Sequence, residues 1–171
     1  AFLVPLDSPG LGRSKFNDLG EHAVKRGALH LDGVRVPAKN MLPGVQGLRG
    51  PLSCLNSARM GIAFAAMGAA VACFEGARDY ALSRIQFGKP IAEFQAIQHL
   101  FAGLAARIHA ARLVVYNAAR LRDAGAPFMT EAAMAKVRAS EVAEQAASAA
   151  VEVYGGNGYT REYPVEKYYR D

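Results

Sequence analysis

Hydrophobic positions change their period near residue 55. From Leu55 onward, Ala63, Met67, Ala70, Phe74, Ala77 and Ala81 recur at steps of three and four, the spacing that lines one face of a helix. No proline interrupts this run, so it predicts one long helix reaching about Gly88. Gly88 is then the residue just past the helix, with Lys89 near the negative end of its dipole and Pro90 blocking continuation. A second helix is predicted from about Phe94 to Asp123, with Ile97, Phe101, Leu104, Ile108, Ala111 and Val115 on one stripe and Arg107, Arg112, Arg120 and Arg122 elsewhere. Gly125 and Pro127 end it. A third begins after Thr130 as N-cap, with Glu131 near the positive end of the dipole, and continues to about Tyr154, where Gly155-Gly156 stops it. Helices of roughly 30 residues are about 45 Å long, and short connections make successive ones antiparallel neighbours. Alanines along the third helix, among them Ala132, Ala135, Ala139, Ala143, Ala146 and Ala150, permit close approach to a partner inside the chain or in another subunit.

The first 50 residues carry another pattern. Ala28-Leu29-His30-Leu31 is a strand-like run closed by the turn pair Asp32-Gly33, after which Val34-Arg35-Val36 alternates apolar and polar before Pro37. Pro5, Pro9, Gly10, Gly12, Gly20, Gly27, Pro43 and Gly44 punctuate the rest too often for long helices, as in the end of a β-rich unit. The chain starts Ala1-Phe2-Leu3-Val4, with neither an initiator methionine nor a signal-peptide pattern, so its start is expected to be internal to a longer polypeptide.

Composition narrows the function classes. With 51% hydrophobic and 20% charged residues, the 171-residue chain has enough apolar material for one or two packed cores and is far from a disordered composition. The alanine-rich stretch Met60–Phe74 is bounded by Arg59 and Glu75, so no membrane span is expected. The formal charge of +5 comes from Lys and Arg scattered among acids, without a basic run interleaved with aromatics. This argues against nucleic acid and suits a phosphate-bearing small molecule. Cys54 and Cys73 lack metal-ligand spacing and read as reduced core thiols. His22, His30, His99 and His109 show neither metal spacing nor a nucleophile partner, so no metal is expected.

Two segments carry candidate chemistry. Tyr80-Ala81-Leu82-Ser83-Arg84-Ile85-Gln86-Phe87-Gly88-Lys89-Pro90-Ile91 places a cation beside an aromatic, with the Gln95 amide eleven residues after Arg84. This set suits a diphosphate and a planar ring, and equally an ordinary helix connection. Val151-Glu152-Val153-Tyr154-Gly155-Gly156-Asn157-Gly158-Tyr159 removes Cβ atoms where a backbone would approach a bulky ligand, or makes a plain helix stop. It follows a helix rather than a strand, so it is not a dinucleotide fingerprint of the Rossmann kind.

Taken in order, Arg84-x-x-Phe87-Gly88-x-Pro90-Ile91, Phe94-Gln95-x-x-Gln98, Glu131-Ala132-Ala133-Met134-Ala135-Lys136, Gly155-Gly156-Asn157-Gly158-Tyr159 and Glu162-Tyr163-Pro164-Val165-Glu166 resemble the acyl-CoA dehydrogenase family. Leu31-Asp32-Gly33-Val34-Arg35-Val36-Pro37 is similar to the last strand of that family's middle β-domain. The resemblance implies a mainly α fold: an antiparallel four-helix-bundle-type C-terminal domain over residues 51–171, truncated at its end, preceded over residues 1–50 by the last strands of a β-barrel-like domain. It implies FAD as cofactor, lying between the subunits of a homotetramer or homodimer. Arg84 would contact its diphosphate, Phe87 would pack near it and Gln95 would hydrogen-bond it, while Glu152, Val153, Tyr154, Gly155 and Gly156 would run along the adenosine side. The family often has Gln where this chain has Glu152, and an ionised carboxylate donates no hydrogen bond. Asn56 and Arg59 match the stretch that meets the CoA part of an acyl-CoA substrate.

The reaction implied is α,β-dehydrogenation of an acyl-CoA to a trans-2-enoyl-CoA, with an electron-transferring flavoprotein as acceptor. The compartment implied is bacterial cytoplasm or mitochondrial matrix. Removal of the α-proton needs a carboxylate base. In most members it follows the Arg-Asp that matches Arg170-Asp171, so no catalytic residue is expected here and the base is expected beyond Asp171; in a minority it stands at the position of Ala58, which cannot serve. Glu75, Asp79, Glu141 and Glu144 read as solvated or inter-helix acids. Two other readings stay open: a related flavin oxidase or monooxygenase, and a non-catalytic helical interaction module.

Overall fold

Three long helices dominate the computed structural model, which describes residues 1–171: α1 (Arg49–Ser83), α2 (Gln95–Asp123) and α3 (Met129–Tyr154), followed by a short α4 (Val165–Arg170). Four short strands complete it, β1 (Leu11–Lys15), β2 (Gly27–Leu31), β3 (Ile85–Gln86) and β4 (Lys89–Pro90). The chain divides into two units, residues 1–55 with Asp171 and residues 56–170.

The core of the second unit is built from the stripes that the periodicity predicts. Ala63, Met67, Ala70, Ala77 and Ala81 of α1 are buried, as are Leu104, Ile108, Ala111 and Val115 of α2. Phe74 and Phe101 lie half-buried against them, edge to face with centroids 5.5 Å apart. Seven of the nine buried residues of α3 are alanine, which lets its backbone come close to α2. Between these two helices Gly125 donates to Arg122 O and Ala126 to Leu121 O, the paired bonds that close a helix on a glycine. The mainly helical fold expected from the sequence is the fold observed.

Local boundaries differ in instructive ways. Helix α1 starts at Arg49 instead of Leu55, because Pro51 falls in the first turn, where a backbone N–H has no helical partner to lose. It stops at Ser83, and Gly88 is a hairpin residue instead of a helix terminator, since β3 and β4 pair around it. Thr130 is not the N-cap of α3. Phe128 holds that place, and its carbonyl accepts the Ala132 N–H at 2.8 Å, so the backbone closes the first turn before a threonine cap is needed. Helix α4 was not anticipated, being under two turns long; burial of Val165 and an Arg170–Glu166 pair at 2.6 Å hold it.

In the first unit β2 forms as expected, but its partner is β1, antiparallel with Leu11 opposite Leu31 and Lys15 opposite Gly27. Val34-Arg35-Val36 is not a strand. The Asp32 N–H donates to Gly10 O at 2.9 Å, so the end of β2 stays committed to the β1 side. The run Leu11-Gly12-Arg13-Ser14-Lys15 gave no hydrophobic signal of its own, with one mainly apolar residue in five.

Helix α1 is long and apolar enough to cross a membrane by length and composition alone. One stripe of α1, from Met60 to Ala81, is buried in the core. The two cysteines also part company: Cys73 is buried in the core, whereas Cys54 is exposed on α1. Burial pushes the Cys73 thiol up to about 11. An unfolded chain would lose this proton near 9, while the folded chain keeps it, so stability is full below pH 9 and falls between about pH 9 and 11. Cys54 is expected to react with a thiol reagent at once and Cys73 only after denaturation. Cys73→Ala should flatten the alkaline loss of melting temperature.

Candidate functional site

An open groove of about 510 Å³ lies where the end of α1, the β3–β4 hairpin and the end of α3 converge. The exposed Arg84 follows α1 directly. Across the groove run Glu152, Val153, Tyr154, Gly155 and Gly156, so seven of the eight residues expected to face a cofactor, Arg84 and Phe87 among them, line one cavity. The eighth, Gln95, is the first residue of α2, exposed and outside the groove lining. Asn56 and Arg59 also lie elsewhere, near the start of α1; from Arg59 to the level of Arg84 the helix axis runs roughly 37 Å.

The hairpin has unusual local physics. Its two-residue loop is Phe87-Gly88, with φ of 53° and 81°, both in the left-handed region. Such loops favour Asn-Gly, because a side chain with a bulky Cβ substituent crowds the following carbonyl. Phe87 accepts that strain while leaving its ring 93% exposed, and an aromatic held this way earns little from packing. It touches Phe94 edge-on at 6.2 Å, and Lys89 Nζ sits 4.5 Å from the Phe94 ring centre. Phe87→Asn is expected to stabilise the protein by about 1 kcal/mol while weakening whatever the ring holds. Paired denaturation and ligand-binding curves check both halves.

The opposite wall is set by the end of α3. Gly155, at φ 60°, caps the helix and donates to carbonyls of the last turn, after which residues 155–159 form a 3₁₀ turn. A Cβ added at Gly155 or Gly156 would meet no atom within 4 Å, so both positions open onto free space. Gly158 is the reverse: a Cβ there would lie 2.6 Å from Val151 O and 3.0 Å from Val151 Cα, so the turn folds back onto α3 only with glycine. Tyr154 stacks on Tyr80 with centroids 4.1 Å apart and its hydroxyl donates to Gly76 O at 3.1 Å. Burial first, then the neighbouring Tyr80 phenol, raises the Tyr154 hydroxyl above its ordinary value, which keeps it neutral and a donor.

Tyr80, Gln86, Ile91, Phe94, Ile97 and Asn157 also line the groove, and the sequence reading gives none of them a cofactor role. Tyr80 carries a signal for one, since it stands four residues before Arg84, on the same helical face. Charge in the lining comes from Arg84 and Glu152, and the floor is mostly apolar. Chemically, this is a place for a ligand that is anionic at one point and flat and apolar elsewhere. Elsewhere, Asp79 and Glu141 sit against exposed Arg78 and Arg138 at 2.8 and 2.6 Å, as solvated acids do. Glu144 lines a separate groove with Arg107 and Gln145.

Residues 45–171 match the family profile described as acyl-CoA dehydrogenase, C-terminal domain. The chain is 44% identical over 173 residues to the mitochondrial short/branched chain specific acyl-CoA dehydrogenase of Rattus norvegicus, across 99% of this chain and 40% of that protein. Among solved structures, butyryl-CoA dehydrogenase from Megasphaera elsdenii superposes with a TM-score of 0.87 at 38% identity, over 99% of this chain and 45% of the other. A glutaryl-CoA dehydrogenase from Mycobacterium smegmatis in complex with FADH2 superposes at 0.93 with 34% identity, over 99% and 44%. The chain spans about two-fifths of the length of the curated relatives it matches. Family profile, curated relatives and solved structures agree, and the chain belongs to the acyl-CoA dehydrogenase family.

Proposed function

We propose that these residues are the cofactor-holding part of an FAD-dependent acyl-CoA dehydrogenase that converts an acyl-CoA thioester to its trans-2-enoyl-CoA. The observation that carries this reading is the convergence of Arg84, Phe87 and the Gly155-Gly156 turn on one groove. The residues fit the cofactor chemically. Arg84 offers the planar, bidentate cation that a diphosphate prefers, the Phe87 ring is free to lie against a flat surface, and the two glycines leave backbone unobstructed. When bound, FAD supplies the acceptor for the hydride that leaves the substrate β-carbon.

The chain's own part is binding and orientation. Arg84 neutralises the diphosphate, Phe87 excludes water from one face, and the Val153–Gly156 backbone runs along the adenosine side. Glu152 takes a place that accepts hydrogen bonds, such as those of ribose hydroxyls, and cannot donate while ionised. Gln95, at the start of α2, hydrogen-bonds the same cofactor, which lies between the subunits of a homodimer or homotetramer. Asn56 and Arg59, at the far end of α1, hold the CoA portion of the substrate, and Arg59 provides its charge partner. Proton removal from the α-carbon falls to a carboxylate outside these residues, because Ala58 has no group to offer. Electrons then pass to an electron-transferring flavoprotein.

Dye-coupled turnover tests the reading. The full-length polypeptide reconstituted with FAD is expected to reduce the dye with a short, branched or dicarboxylic acyl-CoA. The 171 residues alone are expected to give none. Turnover by the isolated chain would overturn the placement of the base, and a full-length protein that holds no flavin would overturn the whole reading.

A further inference from the structure

We infer that Tyr80 and Asn157 are positioning residues for the glycine turn on the cofactor side of the groove; this rests on the flavin reading above. The turn has two open glycines at its centre, Gly155 and Gly156, whose missing side chains touch nothing. Backbone of that kind has no side chain of its own to hold its orientation. Its geometry is inherited from its flanks, and both flanks are fastened to one residue of α1. On one side the Tyr154 ring stacks on Tyr80, 4.1 Å between centroids and 21° between planes. On the other, Asn157 Nδ2 donates to the Tyr80 hydroxyl at 2.9 Å. The Tyr163 ring closes edge-on against both tyrosines, at 6.2 and 5.3 Å, and limits rotation of the stack.

Tyr80 is also one helical turn before Arg84. Tyr80 therefore joins the wall that carries the cation to the glycine backbone opposite, beside the Tyr154 hydroxyl bond to Gly76 O. The Tyr80–Asn157 bond is only part-buried, so its loss costs the global fold little, whereas a small rotation of the turn moves the groups that meet the ligand. Tyr80→Phe removes the acceptor oxygen and keeps the stacked ring, which separates the two contributions.

The test is FAD affinity and melting temperature of the full-length holoprotein for Tyr80→Phe, Asn157→Ala and the double variant, with Arg84→Ala alongside. Each single variant is expected to bind FAD about five- to tenfold more weakly, and the double variant no more weakly than the worse single, because both break one bond. Melting in saturating FAD should move by no more than about 2 °C for Tyr80→Phe. A merely structural role predicts the reverse, a lowered melting temperature with unchanged FAD affinity, and that result overturns the inference. So do losses that multiply in the double variant. If Arg84→Ala loses FAD while the Tyr80 and Asn157 variants bind normally, the inference falls and the flavin reading stands. If Arg84→Ala also binds normally, both fall.

Discussion

Gly158→Ala is expected to destabilise the full-length protein by about 2–3 kcal/mol, read as a lower denaturant midpoint at unchanged slope. The added methyl would lie 2.6 Å from Val151 O, 3.0 Å from Val151 Cα and 3.1 Å from Tyr154 Cβ. Two of these are backbone atoms of α3 that no rotamer change can move. The site is buried, so the 3₁₀ turn must lift off the helix to make room. Gly156→Ala provides the contrast two residues away. Its methyl meets nothing within 4 Å, so stability should be unchanged or slightly raised, while FAD binding weakens because the methyl projects into space the ligand needs. A Gly158→Ala protein as stable as the parent would mean that the turn is not packed as described.

Charge reversal at Arg84 is expected to have the largest functional effect. Hydrogen bonds to charged groups contribute about 1.5–3 kcal/mol, and Arg84→Glu removes them and sets a carboxylate against a diphosphate. A loss of at least about 100-fold in FAD affinity follows, since each tenfold corresponds to about 1.4 kcal/mol. Arg84 is exposed, so the fold should be untouched, within about 0.5 kcal/mol. Arg122→Glu serves as the control. That arginine is also exposed and already sits 3.3 Å from Asp123 at the end of α2, outside the groove, and its reversal should leave flavin content unchanged.

Much of the fold could be read from the residues because its core elements obey one simple period. The α2 stripe from Leu104 through Ile108, Ala111 and Val115 is buried as the spacing requires, and Gly125 ends the helix with the hydrogen bonds its position implies. What escaped was governed by backbone pairing instead of side-chain pattern. β1 is polar and glycine-containing and is specified by its register with β2, which no local window contains. Gly88 reads as a helix terminator because glycine serves both purposes, and the pairing of Ile85 with Pro90 and Gln86 with Lys89 makes it a hairpin residue. The exposure of Cys54 reflects the side of α1 on which it falls, and the start of that helix was misplaced.

The groove was legible in its parts more than in its connections. Arg84, Phe87 and the Glu152–Gly156 run were named from motif order, and the fold places all of them around one cavity. Tyr80 and Asn157 went unassigned because their significance lies in a contact across 77 positions of sequence. The strain at Phe87 was equally invisible, since a positive φ at an aromatic residue is imposed by the hairpin and not by any preference of phenylalanine.

The central claim, that Arg84 and the glycine turn hold the diphosphate side of FAD, is tested most directly by phosphorus NMR of FAD bound to the full-length protein. The conservative variant Arg84→Lys keeps the charge and loses the planar fork, so both diphosphate resonances are predicted to shift, while Arg122→Lys leaves them where they are. Diphosphate resonances identical in the parent and Arg84→Lys proteins would contradict the claim.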